Sequence, residues 1–245
     1  MRLNMKILIT ENYDKMSEAA FSFVKEIITE NPDAVLGLAT GSTPIGLYDL
    51  MVRDFEQNGT SYKGIRSVNL DEYVGLSADN VQSYAYFMKN HLFDKVDIDK
   101  NNTHLPCGTA TDKKAECKRY NELLKKLVPD VQILGIGSNG HIGFNEPGTE
   151  KNSVTHVVDL TESTIKDNSR LFDRIEDVPR QAFSMGIKNI LDSKKIIVMA
   201  SGENKAKAIR AMIEGPVSSD CPASFLREHN DVIVIVDKAA GKLIK

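Results

Sequence analysis

Apolar positions fall into two rhythms along this chain. Short runs rich in β-branched residues occur at Ile7–Ile9, Ala34–Ala39, Val68–Leu70, Val131–Ile136, His156–Leu160, Ile196–Ala200 and Val232–Val236. They are bounded by Gly, Asp, Ser or Thr, as buried strands are. Between them, apolar residues recur at helical spacing. Met16, Ala19, Ala20, Phe23 and Ile27 form one stripe, Tyr120, Leu123, Leu124 and Leu127 a second, and Ala206, Ile209 and Ile213 a third. A further helix is expected from Ile45 to about Phe55. Strands alternating with helices predict βα units and a mostly parallel sheet with helices on both faces. No repeat and no linker rich in Pro, Gly or Ser divides the chain, so residues 1–245 read as a single α/β domain of doubly wound type. Ligands of such sheets bind beyond the carboxyl ends of the strands, which directs attention to the strand-to-helix loops.

Composition narrows the picture. Of 245 residues, 41% are apolar and 27% charged, which argues against disorder, collagen and coiled coil. A chain of this length buries roughly 70% or more of its unfolded surface, enough for a core without staples. The net charge of −3, the lack of Trp and the 7% aromatic content offer neither the basic surface nor the stacking platform of a nucleic-acid binder. No apolar run approaches the about 18 residues of a membrane span, and the start has no apolar stretch with a small-residue cleavage site. Cys107, Cys117 and Cys221 fit no metal or redox spacing and are expected to be free thiols in a reducing cytoplasm.

Four loops carry candidate chemistry. After the run ending at Ala39 comes Thr40-Gly41-Ser42-Thr43-Pro44. Thr43 suits an N-cap and Pro44 a first helical position. Hydroxyls, free N–H groups and the helix dipole would make an anion site here, although a plain capped helix start reads the same way. It is not a Walker loop. After Leu70 comes Asp71-Glu72-Tyr73-Val74-Gly75-Leu76, with two adjacent carboxylates just past a buried strand. Such groups are costly to desolvate unless paired or used. Asp71 is placed as a general base, and capping or a solvated turn is the alternative.

The third loop, after Leu134, runs from Gly135 to Gly148. Gly135, Gly137 and Gly140 match the dinucleotide fingerprint, but that motif opens a helix at its third glycine. Here Gly143, Asn145, Pro147 and Gly148 interrupt helical continuation, so the fingerprint reading is rejected. The loop instead brings His141 near Glu146, an imidazole and carboxylate suited to acid–base work. The fourth, Ser201-Gly202-Glu203-Asn204-Lys205, puts Lys205 in the first turn of a helix, where a cation opposes the dipole unless it meets an anion. A solvent-facing lysine is the alternative. Arg170 in Asn168-Ser169-Arg170 is a second candidate cation. His91, His104, His141, His156 and His229 are scattered without metal-ligand spacing, and no nucleophile elbow is present. No metal or cofactor is expected.

These stretches resemble glucosamine-6-phosphate deaminases over essentially the whole chain. The likeness is carried by Leu36 to Pro44, by Asn69 to Leu76, and by Gly140-His141-Ile142-Gly143-Phe144-Asn145-Glu146-Pro147. The resemblance implies a Rossmann-like fold and conversion of glucosamine 6-phosphate to fructose 6-phosphate and ammonium. It implies that His141 assists ring opening with Glu146 orienting it. It implies that Asp71 moves the C2 proton to C1, and that Thr40, Gly41, Ser42, Thr43, Arg170 and Lys205 hold the phosphate. Where many relatives have Asp, this chain has Asn139, which cannot ionise and is expected to position by hydrogen bonding. Members with an allosteric amino-sugar-phosphate site have a longer carboxyl tail and basic residues after the Asn-Glu-Pro loop. Here that region reads Val154-Thr155-His156-Val157-Val158, so the resemblance implies no such activation and a monomer rather than a hexamer. Two rivals remain. A 6-phosphogluconolactonase shares a related glycine–histidine loop but needs no base like Asp71. A non-catalytic sugar-phosphate sensor would normally carry a DNA-binding segment, for which no room precedes the first strand.

Overall fold

Most apolar runs become strands of one sheet. In a computed structural model describing residues 5–162, 165, 172, 174 and 177–245, the strands are β1 (Met5–Thr10), β2 (Val35–Leu38), β3 (Arg66–Asn69), β4 (Asp71–Tyr73), β5 (Thr103–His104), β6 (Val131–Leu134), β7 (His156–Asp159), β8 (Gln181–Ser184), β9 (Ile196–Ala200) and β10 (Val232–Asp237). The described helices include α1 (Tyr13–Glu30), α2 (Ile45–Asn58), α3 (Tyr84–Met88), α4 (Lys113–Lys126), α5 (Ile187–Leu191), α6 (Ala206–Glu214) and α7 (Lys238–Gly241).

Seven strands form a sheet in the order β1-β10-β9-β6-β2-β3-β5, and every pairing in it is parallel. Side chains alternate across it. Ile196 and Val198 of β9 and Val232 and Val234 of β10 join a core with Tyr120 of α4 and Ile209 and Met212 of α6. Ile197, Met199, Ile233 and Ile235 point the other way, into a core with Met16 and Val24 of α1 and Leu47 and Met51 of α2. Helices thus cover both faces, as the doubly wound reading expects. Each fully buried Val, Ile or Leu contributes roughly 1.5–3 kcal/mol over its exposed state, so the two cores carry the fold.

Three details differ from the sequence reading. The His156 run is β7, which lies outside the parallel sheet. It pairs antiparallel with β8, and β8 with β4, in a separate three-stranded sheet. Asp71-Glu72-Tyr73, expected as loop, is β4. And α1 turns slightly from the predicted stripe: Met16, Ser17, Ala20, Val24 and Ile28 are buried, while Ala19, Phe23 and Ile27 pack at the margin.

The strand order places the site. From β2 the chain proceeds outward through β3 and β5, then returns to β6 on the other side of β2 and continues to β9 and β10. The β2/β6 boundary is therefore the topological switch point, where the loops after two strands diverge and leave a crevice. Asp130 fastens this boundary: its Oδ2 accepts the Val35 N–H at 2.7 Å and its Oδ1 meets Lys194 Nζ at 2.7 Å.

Candidate active site

The crevice is a cleft of about 310 Å³ whose walls include Thr40, Gly41, Ser42, Thr43, Asp71, His141 and Lys205. A larger groove of about 620 Å³ lies between α4 and α5, lined by Lys118, Lys125 and Lys188 among others. It contains none of the predicted site residues, so chemistry rather than size selects the smaller cleft.

One wall is the loop after β2. Gly41 adopts φ 88°, the left-handed region that glycine tolerates best. The loop is held from outside by Tyr13 of α1, whose hydroxyl lies 3.0 Å from the Ser42 carbonyl and accepts the Gly46 N–H at 2.8 Å. Thr43 is not the N-cap: α2 begins at Ile45, Pro44 occupies the cap position, and Tyr13 supplies the bond that a capping side chain would have made. The Thr43 hydroxyl is left for the cleft. Among the described residues, no acceptor takes the N–H groups of Gly41, Ser42 or Thr43. Free N–H groups at a helix start favour an anion.

Lys205 lines the same cleft from another loop. It does not lie in the first turn of α6 but ends a short 3-10 turn, Glu203–Lys205, just before it. That turn is anchored by Asp237 at the end of β10, which accepts from the Ser201 hydroxyl at 2.6 Å and from the Gly202 N–H at 3.1 Å. Arg170 lies outside the described residues.

The floor carries Asp71 and His141. Asp71 is 6% exposed. Burial, and secondarily the charge of Glu72, push its carboxyl up to about 8. Among the described residues no hydrogen-bond donor reaches it. Glu72 is buried too, and burial raises its pKa. Against that, its carboxylate accepts the N–H groups of Tyr73 (2.8 Å), Tyr84 (2.9 Å) and Ala85 (2.8 Å). These bonds favour the charged form of Glu72 and partly offset the burial that raises its pKa.

His141 sits in the turn-rich loop after β6, and no helix opens at Gly140, in keeping with rejection of the dinucleotide fingerprint. Its Nδ1 lies 3.4 Å from Glu146 Oε1, close enough for an ion pair but outside hydrogen-bond geometry. Asn139 Nδ2 donates to Glu146 Oε2 at 2.7 Å, and Asn139 Oδ1 accepts the His141 N–H at 3.2 Å. Asn139 and Glu146 thus stand behind the imidazole rather than on the cleft wall. A Cβ on Gly137 would overlap the His141 ring, so glycine there gives the ring its seat. The loop is tied to the small sheet by Ser184, which accepts the Phe144 N–H at 3.1 Å.

Sequence reasoning missed Tyr84, Phe144 and Ser184. Tyr84 lines the cleft and stacks on Phe144, the planes 7° apart. Burial raises its phenol's pKa. Ser83 before it, an N-cap accepting the Tyr86 N–H at 3.0 Å, marked a helix start, but nothing in the pattern linked that helix to Asp71. Among the described residues, no cluster of His, Cys, Asp and Glu could hold a metal.

Known proteins resemble this chain in sequence and in fold. The chain matches the family described as glucosamine-6-phosphate isomerases/6-phosphogluconolactonase over residues 10–235. A glucosamine-6-phosphate deaminase of Clostridium perfringens (strain 13 / Type A) is 48% identical over 98% of this chain and 100% of its own length. One from Geobacillus sp. (strain WCH70) is 49% identical over 98% of this chain and 96% of its own length. A solved structure of a monomeric glucosamine-6-phosphate deaminase is 46% identical, covers 98% of this chain and 100% of that one, and superposes with a TM-score of 0.95. The 6-phosphogluconolactonase of Trypanosoma brucei shares the fold, with a TM-score of 0.80, at 20% identity over the whole of both chains. On sequence and architecture together, this chain belongs to the glucosamine-6-phosphate isomerase/6-phosphogluconolactonase family, among its glucosamine-6-phosphate deaminases.

Proposed function

We propose that the cleft converts glucosamine 6-phosphate to fructose 6-phosphate and ammonium. The observation that carries this is the meeting, in one cleft, of an anion-binding loop with Lys205, the His141 imidazole and the buried carboxyl of Asp71. The phosphate sits on Thr40, Gly41, Ser42 and Thr43 with Lys205 opposite. Arg170 is a further candidate for the same anion. Binding energy from this unreactive group positions the reacting carbons.

His141 moves a proton from the anomeric hydroxyl to the ring oxygen, opening the pyranose. Glu146 orients the imidazole and stabilises it when charged, and Asn139 holds Glu146. Asp71 then takes the C2 proton and returns it to C1 through an enediol-like intermediate, leaving an imine at C2 that water hydrolyses to ketone and ammonium. An ionised Asp71 that no donor among the described residues stabilises is a strong base for a C–H proton. A lactonase would have no step for this carboxylate, which places the hydrolase reading second.

We further propose a monomer in the cytoplasm. A monomeric relative at 46% identity supports the first. The second rests on three free cysteines and the lack, among described helices, of one long and apolar enough to cross a membrane. The test of function is release of ammonium and fructose 6-phosphate from glucosamine 6-phosphate, with chelator present and no activator added. Stoichiometric release of both is expected. No release from folded protein that binds the sugar phosphate would overturn the reading.

A further inference from the structure

Beside the base stands a second buried carboxylate that the reaction as written does not use. Glu72 is 2% exposed. Along β4, neighbouring side chains point to opposite faces, so Asp71 looks into the cleft while Glu72 looks away from it. Its carboxylate meets backbone N–H groups only, those of Tyr73, Tyr84 and Ala85. Gly108 packs nearby, where an added Cβ would overlap the Leu76 and Tyr73 carbonyls and lie 3.4 Å from Glu72 Cγ. Among the described residues no Lys, Arg or His forms an ion pair with it. A buried charge with no cationic partner is expensive, and a neutral side chain could accept N–H groups there at lower cost.

We infer that Glu72 is a positioning residue for the Asp71 base, acting both through the start of α3 and through its charge. The first action is mechanical. Two of its three bonds hold the N–H groups of Tyr84 and Ala85, fixing the first turn of α3 and hence the Tyr84 ring on the cleft wall beside Asp71. The second is electrostatic. When ionised, this carboxylate one residue away raises the proton affinity of Asp71, because like charges disfavour a second ionisation. The other titratable groups near Asp71 cannot substitute. Burial raises the phenol pKa of Tyr48, Tyr84 and Tyr120, and His141 and Lys205, which share the cleft, would as cations lower its proton affinity rather than raise it. The inference rests on the proposed deaminase reaction, in which Asp71 is the proton carrier.

The experiment compares pH profiles of kcat/KM for ammonium release by the native protein, Glu72→Gln and Glu72→Asp, with exchange of the C2 proton into deuterated water as second readout. In Glu72→Gln the acid limb should move to lower pH by about one unit, since the like charge is gone, and exchange should slow on the order of 10-fold. In Glu72→Asp the charge stays but the shorter side chain cannot reach Tyr84 and Ala85. The limb should stay in place while kcat falls on the order of 10-fold with KM little changed. A purely structural role would lower thermal stability and total activity without moving the limb, and that result in Glu72→Gln overturns the inference. So does native kcat in Glu72→Asp, which carries the test alone if the glutamine variant does not fold. Native protein that releases no ammonium defeats the proposed function itself, an outcome distinguishable from either.

Discussion

The His141 imidazole rests against the backbone of Gly137, where any β-carbon would overlap it. Its position is therefore set by an absent side chain as much as by Glu146. Gly137→Ala should displace the ring and lower kcat on glucosamine 6-phosphate roughly 10²-fold. Because only the ring must move, the melting temperature should fall little, and thermal unfolding beside kinetics checks both parts. Asp71 yields a sharper prediction. Its folded pKa of about 8 lies above its ordinary value of 3.8. The fold thus holds a proton that the unfolded chain releases between those values. The stabilising share of the protonated carboxyl is full below pH about 4 and is lost as pH rises through about 8. Asn at this position has no such loss. Asp71→Asn should match native thermal stability near pH 4 and exceed it by several °C at pH 9, while abolishing C2 proton exchange. Native protein that instead gains on the variant as pH rises would mean a paired, readily ionised Asp71.

Among elements, the short turn before α6 shows how a strand end delivers a side chain. Asp237 closes β10, caps α7 through the Ala240 N–H at 2.7 Å, and holds Ser201 and Gly202. Lys205 is thus presented by a loop with its own support. Lys205→Ala should raise KM for the sugar phosphate with a smaller loss in kcat, as for a contact equally strong in ground and transition states. Steady-state kinetics decide this, and a change confined to kcat would contradict it. The elements also show what was readable in advance. Long apolar runs such as Val232–Val236 and the loops that follow them were legible because a strand buried on both faces leaves a continuous signature. The small sheet was not. Asp71-Glu72-Tyr73 is too short and too acidic to read as a strand, and Gln181–Ser184 carries too little apolar character. Both become strands through their pairing with each other, a long-range contact that local propensity does not record. Tyr84 and Ser184 were missed for the same reason. Each reaches the site through a partner distant in sequence, Glu72 in one case and the Phe144 N–H in the other.

In the whole molecule, the cleft opens where the path of the chain reverses between β2 and β6. Its walls come from stretches near residues 40, 71, 141 and 205, so nothing short of the complete sheet assembles it. Mass measurement in solution should give the 27.2 kDa of a single chain, and a larger particle would contradict the proposed monomer. A sugar phosphate spanning the cleft as proposed would bind the folded chain alone. At a hundredfold its dissociation constant, fructose 6-phosphate should add about 2.7 kcal/mol to stability. For a chain of this size that is roughly 5–10 °C in melting temperature. Calorimetry with and without the ligand tests this, and no shift at saturating ligand would mean that the ligand does not bridge these walls. The same bridging has a physiological side. When amino sugars are plentiful the occupied chain opens rarely and proteases find it seldom. When they run out, that added stability is gone and the polypeptide should open more often. A ligand held across the crevice would thereby tie the stability of the whole fold to the supply of what the enzyme consumes.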